Sequence, residues 1–259
     1  MKLTSEAPAD TWRHGACFRF YAELNDFLPA ERRQESFIQT FDGAPAVKDV
    51  IEAIGVPHTE IDLILVDGVS VGFSHQLRGG ERVAVYPMFE RLDIAAATRL
   101  RPRPLREPRF ILDVHLGRLA RYLRLLGFDA AYANDLTDAD IAARSVAEQR
   151  IVLTRDRDLL KRSAVTHGYW LRNTDPRRQV MEVVDALDLG GRIRAFSRCM
   201  ECNTELETVA EPTVRDWLPD GIRGRYARIA CCAGCGRLYW PGSHHARLAS
   251  LVGTLLQAE

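Results

Sequence analysis

Two sets of residues in this 259-residue sequence have the types and spacing to do chemistry. The first is a pair of C-x-x-C motifs, Cys199-Met200-Glu201-Cys202 and Cys232-Ala233-Gly234-Cys235, separated by 29 residues. Each motif offers two thiolates from one turn, and four thiolates make a closed tetrahedral site for structural Zn²⁺ with no position left open for catalysis. A redox dithiol is the competing use of a C-x-x-C, weakened here because two pairs are present. Cys231 competes for a place, but with Cys235 it makes a C-x-x-x-C, a poorer knuckle. A complete cysteine set makes His244 and His245 unnecessary as ligands, so "WPGSHH" reads as a structural turn.

The second set is made of carboxylates. In "RIVLTRDRDLLKR" (150–162) the buried-strand run Ile151–Leu153 leads into Thr154, Asp156 and Asp158, in a stretch that also carries five basic residues. Upstream, the apolar run "FIL" ends at Asp113. Ligands of open α/β sheets bind outside the carboxyl ends of the strands, so Asp113, Asp156 and Asp158 can meet on one edge. Asp138, at the start of the intervening helix, completes the group. Crowded carboxylates repel unless a cation neutralises them, and hard Mg²⁺ or Mn²⁺ suits oxygen ligands. Such sites typically act on phosphates. Each aspartate alone is readily a helix cap, but capping needs one carboxylate per helix end. A haloacid-dehalogenase-like phosphatase would want a second aspartate two residues after Asp113, where His115 stands.

The elements that must position these groups are readable in order. "FRFYAEL" after Cys17 alternates with period two, a half-buried strand, with Cys17 as a small buried residue in it. "ESFIQTF" is its partner. Val47, Val50, Ile51 and Ile54 recur at helical spacing, with Pro45 before them and Gly55 after. "IDLILVDGVSV" is two strands about an Asp67-Gly68 turn, and "ERVAVYPMF" closes a β-grasp order. The runs "FRFYAELNDFL" and "LRGGERVAVYP" resemble small sulfur-carrier proteins of the ubiquitin-like superfamily, which work through a free C-terminal Gly-Gly. Here "LRGG" (Leu77–Gly80) precedes a strand, so it reads as a turn and the carrier function is rejected.

Beyond it, strands alternate with helices, which implies a parallel sheet. "FIL" is followed by a helix with Leu116, Leu119, Leu123 and Leu126 inside and Arg118, Arg121 and Arg124 as a basic stripe. Gly127 ends it. "DAAYA" is a strand, "LTDADIAARSVAEQ" a helix capped by Thr137 or Asp138, "GYWLR" a strand, and Asp175-Pro176 begins another helix. No G-x-G-x-x-G follows the first strand, so a dinucleotide site is unsupported.

The totals, 46% apolar and 27% charged residues, are those of a globular protein. Without an apolar run of transmembrane length or a signal-peptide h-region, the expectation is a cytoplasmic protein with no membrane partner. Zero net charge conceals an asymmetry: residues 1–98 hold nine Lys/Arg against fifteen Asp/Glu, and the remainder 26 against 20. The basic portion permits a polyanion partner. "TRLRPRPLREPR" (98–109), with five arginines and three prolines, reads as an extended connector.

Taken together, "FILDVHLGRLARYLRLLGFDA", "DADIAARSVAEQRIVLTRDRDLL", the cysteine pairs and "YWPGSH" closely resemble the Mut-seven-C RNase family of PIN-like nucleases. The resemblance covers roughly 17–250. It implies an α/β PIN-like domain behind a ubiquitin-like β-grasp domain, with a zinc ribbon at the end. The expected layout is a tail (1–16), a β-grasp domain (17–91), an Arg/Pro linker (92–108), a nuclease domain (109–192) and a ribbon with the C-terminal segment (193–259). The resemblance implies RNA as substrate and Mg²⁺ or Mn²⁺ as catalytic cofactor, held by Asp113, Asp156 and Asp158. Asp138 is a further catalytic residue; Asp140 rivals it, and Asp135 is the weaker choice. The implied reaction is in-line attack of water, leaving a 5′-phosphate and a 3′-hydroxyl. Thr154 would orient the water or a ligand, and Arg118, Arg121, Arg155 and Arg157 would contact phosphates. The ubiquitin-like domain offers a surface for a protein partner. A non-cleaving RNA-binding or adaptor protein is the alternative reading.

Overall fold

The computed structural model describes residues 14–87 and 108–256. The expected linker (92–108) and N-terminal tail (1–16) lie almost wholly outside the described residues. The chain divides into two compact units, Met1–Arg106 with Asp156–Trp170, and Glu107–Arg155 with Leu171–Glu259. The division therefore falls inside the span expected for the nuclease domain.

The first unit is a β-grasp. Strands β1 (Gly15–Phe20), β2 (Phe37–Thr40), β3 (Ile61–Val66), β4 (Val69–Ser70) and β5 (Arg82–Pro87) form a sheet in the order β2-β1-β5-β3-β4. β1 and β5 are parallel. Helix α1 (Val47–Ile54) contributes Val47, Val50 and Ile51 to a core with Phe18, Phe20, Ile64 and Val85. The β3–β4 turn has φ +49° at Asp67 and +83° at Gly68, as a tight two-residue hairpin demands. "LRGG" is the glycine turn expected, with Gly80 N–H donating to Gly15 O and the Glu81 carboxylate accepting from Arg78 and Gly79 N–H.

Two expectations need correction here. The first strand does not continue to Leu24: Ala22 takes φ +46° and a 3-10 turn follows over Ala22–Phe27. The Asn25 side chain donates to Phe20 O and Ala22 O, replacing ladder bonds that a longer strand would have made. Cys17 lies in β1 but is only half-buried, on the face opposite Phe18.

Asp156–Trp170 belongs to this unit through specific contacts. It holds helix α2 (Arg157–Lys161) and strand β6 (Gly168–Trp170). Buried His58 lies between two acceptors, Glu52 Oε1 at 2.6 Å from Nδ1 and Val165 O at 2.8 Å from Nε2. Glu60 accepts from Trp170 N–H. The Arg157 guanidinium sits 4.2 Å from the Trp170 ring centroid and 5.0 Å from that of Phe27.

The second unit holds parallel strands β7 (Arg109–Leu112), β8 (Asp129–Ala131) and β9 (Ile151–Thr154), with β7 in the middle. Leu171 N–H donates to Thr154 O beyond the end of β9. Helix α3 (Gly117–Leu125) buries Leu119 and Leu123 and packs on α4 (Pro176–Ala186), while α5 (Asp138–Ala147) lies against β7 and β9. The four-cysteine region adds an antiparallel sheet of β10 (Leu206–Ala210), β11 (Arg228–Cys232) and β12 (Leu238–Tyr239), then helix α6 (Ser243–Leu256). Val214, Leu218 and Ile229 form its small core. Among the described residues no helix is long and apolar enough to cross a membrane.

Gly127 closes α3 at φ +94°, and a Cβ there would stand 2.3 Å from Arg194 O. Arg194 and Phe196 N–H in turn donate to Leu126 O and Leu125 O. Gly127→Ala is therefore expected to destabilise the protein by about 1–3 kcal/mol, read from chemical denaturation.

Candidate functional site

The four expected cysteine ligands converge. The sulfurs of Cys199, Cys202, Cys232 and Cys235 all lie within 4.8 Å of one another. Among the described residues this is the one group of three or more His, Cys, Asp or Glu placed to hold a metal ion. Cys231 lies outside it.

The two knuckles are built alike. Cys199 N–H donates to Thr204 O and Cys232 N–H to Arg237 O; Asn203 N–H donates to Cys199 O and Gly236 N–H to Cys232 O. The residue after each second cysteine is left-handed, Asn203 at φ +72° and Gly236 at +71°. Gly234 is required because a Cβ would meet Thr204 Oγ1 at 2.4 Å. The same loop thus occurs twice, facing itself across the sulfurs. The Thr204 hydroxyl and backbone N–H hold the Cys202 thiol down to about 6. The Arg237 N–H also pulls Cys235 down, but burial and the neighbouring sulfurs outweigh it and carry that thiol up to about 12. Tyr239 OH lies 3.1 Å from Cys199 Sγ.

The first knuckle is fastened to the parallel sheet by Asn203, Asp129 and Arg150, which the sequence did not single out, and by Arg124, expected on an exposed face. Asn203 accepts from Ala130 N–H at 2.9 Å and donates to Asp129 Oδ1 at 2.6 Å. Asp129 also pairs with Arg150, which donates to Phe110 O in the central strand. Arg124 donates to Ala130 O, Met200 O and Glu201 O. It is 4% exposed, so the expected basic stripe is corrected: its third member is buried because three carbonyls surround it. Arg121 is exposed but paired with Glu201 at 2.8 Å. Arg118 and Arg155 are exposed.

The aspartates fall into different local roles. Asp113 follows the end of β7 and is buried at 9% exposure, and Thr154 Oγ1, at the end of adjacent β9, donates to its Oδ2 at 2.7 Å. Its side chain caps no helix. Thr137 is the N-cap of α5, and Asp140 is spent in a reciprocal capping box with it, accepting from Thr137 N–H at 3.0 Å. That bond leaves Asp138, the first residue of the helix, as the residue of "DAD" outside the cap. Asp156 is the cap of α2, accepting from Asp158 N–H at 2.8 Å. Asp158 is exposed, with Lys161 Nζ 3.8 Å away.

Two outcomes are expected. Metal analysis of the purified protein finds one zinc per chain, kept in Cys231→Ser and lost in Cys235→Ser. The second concerns Asp129, where burial raises the carboxyl pKa but Arg150 and Asn203 outweigh it and set it below 3.8. A depressed carboxylate stabilises the fold above its unfolded value and ceases to as pH falls through the folded one. Asp129→Asn therefore loses stability at neutral pH, and the gap to wild type closes below about pH 4, as denaturant titrations at several pH values would register.

Comparison with known families gives two matches. Residues 108–252 match the Mut7-C RNAse domain and residues 14–93 the Mut7-C ubiquitin domain. No curated protein and no solved structure compared with this chain matches it.

Proposed function

Because the chain belongs to the Mut7-C RNase family, a nuclease family, we propose that it is a metal-dependent ribonuclease hydrolysing RNA phosphodiester bonds. The observation that carries this reading is Asp113, a buried carboxylate at a strand's carboxyl end. It caps nothing and is oriented by a threonine from the next strand. The Thr154 hydroxyl donates to Oδ2 and leaves Oδ1 as an oxygen donor. Hard oxygen donors of this kind fit Mg²⁺ or Mn²⁺.

Asp113 would hold the cation, with Asp138, Asp156 and Asp158 as the remaining members of the acidic set. When bound, the cation supplies charge neutralisation and Lewis-acid polarisation of the scissile phosphate. Thr154 keeps Asp113 in one rotamer and so fixes where that charge is presented. Arg118, Arg121, Arg155 and Arg157 are proposed as phosphate contacts. For Arg121 and Arg157 this requires exchanging a present partner, Glu201 or the Phe27 and Trp170 rings. The cysteine site is proposed to hold structural Zn²⁺, and the β-grasp unit to receive a protein partner.

Cleavage of single- and double-stranded RNA in Mg²⁺ or Mn²⁺ tests the reading. Wild type is expected to cut, Asp113→Asn to fall below detection, and Thr154→Val to lose about 10- to 100-fold. RNA that wild type binds but never cuts in either metal would replace this function with RNA binding alone.

A further inference from the structure

A cavity of about 610 Å³ opens where the cysteine-bearing sheet meets the end of α3 and the start of α6. That volume lies in the range of roughly 300–1,000 Å³ typical of small-ligand sites. One wall is the Phe196 ring stacked on His245, centroids 4.2 Å apart at 28°. Tyr239 and Trp240 supply further aromatic surface, and Leu125 and Leu248 add apolar lining.

Four arginines also line it, against one carboxylate, Glu201. Their pairings decide which are available. Arg121 is held by Glu201 at 2.8 Å, and Arg198 by Glu205 at 3.1 Å and by Asn203 O. Arg237 touches Glu201 only at 4.0 Å and is 60% exposed. Arg228 is exposed and has no ion pair among the described residues. An apolar slot lined by aromatic rings thus carries two cations whose charge is largely unspent.

Rings that accept a flat π-face beside guanidinium groups that accept phosphate are the combination by which proteins hold unpaired nucleotides. A paired base has its faces stacked in the helix and cannot enter such a slot. We propose that this cavity binds an unpaired base of single-stranded RNA, with Arg228 and Arg237 on its flanking phosphates. The inference deepens the ribonuclease reading by assigning a site that selects single strands, and it rests on RNA being the substrate. The cysteine cluster stiffens the pocket, because Tyr239 joins it to Cys199 and Arg237 follows the second knuckle by two residues.

The test is fluorescence anisotropy with a labelled ten-nucleotide RNA, in buffer lacking Mg²⁺ and Mn²⁺ so that binding is read without cutting. Its arms are the single strand, the same strand in a duplex, and unlabelled mononucleotides as competitors. The single strand should bind more tightly than the duplex. His245→Ala and Trp240→Ala should weaken it by about 5- to 100-fold, the range of lost base stacking. Arg228→Gln should lower the slope of log affinity against log salt by about 0.7. Trp240 also packs against the Val214–Leu218–Ile229 core, so zinc content and circular dichroism accompany each variant, and His245→Ala and Arg228→Gln decide the matter if Trp240→Ala misfolds. Equal binding by folded variants and wild type, equal binding of duplex and single strand, no binding at all, or mononucleotides competing as well as the decamer would each overturn the proposal. Cleavage that persists while the pocket variants bind normally removes only the pocket. Strand binding that the variants lose, in a protein that cuts nothing, removes only the nuclease.

Discussion

Four sulfurs within 4.8 Å of one another are a demanding arrangement for a chain to maintain. As thiolates they repel, and as thiols they are poor hydrogen-bonding partners for one another, so a cation that replaced their protons would relieve the crowding. The small core of Val214, Leu218 and Ile229 offers little apolar burial to hold three short strands. The repeated knuckle does what that core cannot. Each loop spends its N–H groups on its own carbonyls, turns through a left-handed residue, and points two sulfurs at the other loop.

That constraint extends into the parallel sheet. Asn203 occupies its left-handed position because of the knuckle, and from there its amide reaches both Ala130 and Asp129. Asp129 passes the connection to Arg150 and on to Phe110 O, three residues before Asp113. Arg124 makes a second connection, from α3 to the knuckle carbonyls. A buried arginine is costly to desolvate. Burial lowers its pKa, whereas Cys199, Cys202 and Glu201 act to raise it. Negative charge on the cluster and the buried guanidinium are therefore mutually stabilising, and polar bonds from Asn203 and Arg124 join the cysteine region to the sheet.

How legible this was in the sequence depended on how local the cause was. The β-grasp order, the Asp67-Gly68 turn, the cysteine set and the Asp175-Pro176 helix start follow from period, turn residues and spacing, all set within a dozen residues. Arginines recurring every three residues signal an exposed face, yet Arg124 is buried. What buries it are carbonyls of residues 200 and 201, which no window around 124 contains. The first strand stopped early for a local reason that hydrophobic alternation does not encode, the Asn25 amide folding back on Phe20 O. The grouping of Asp156–Trp170 with the β-grasp rests on His58 meeting Val165 and Glu60 meeting Trp170, pairs more than a hundred residues apart.

The aspartates show where spacing stops being informative. The strand-end and helix-start carboxylates look equivalent in sequence, yet the backbone separates them by what each already does. Asp140 is committed to Thr137, and Asp156 to the N–H of Asp158. A capping carboxylate spends one oxygen on the chain and keeps the other, so capping and metal binding are compatible, but the cap fixes which oxygen is left. Asp113 has no such duty. Its orienting bond comes from a side chain, Thr154, on a separate strand, which fixes the carboxylate without satisfying any backbone group. Burying a carboxylate costs free energy unless hydrogen bonds or a counter-charge compensate. Asp129 is compensated by Arg150 and Asn203, and Asp113 by the Thr154 hydroxyl. Asp113 thus differs from the capping aspartates in being held by a side chain on another strand and not by the backbone of its own helix start.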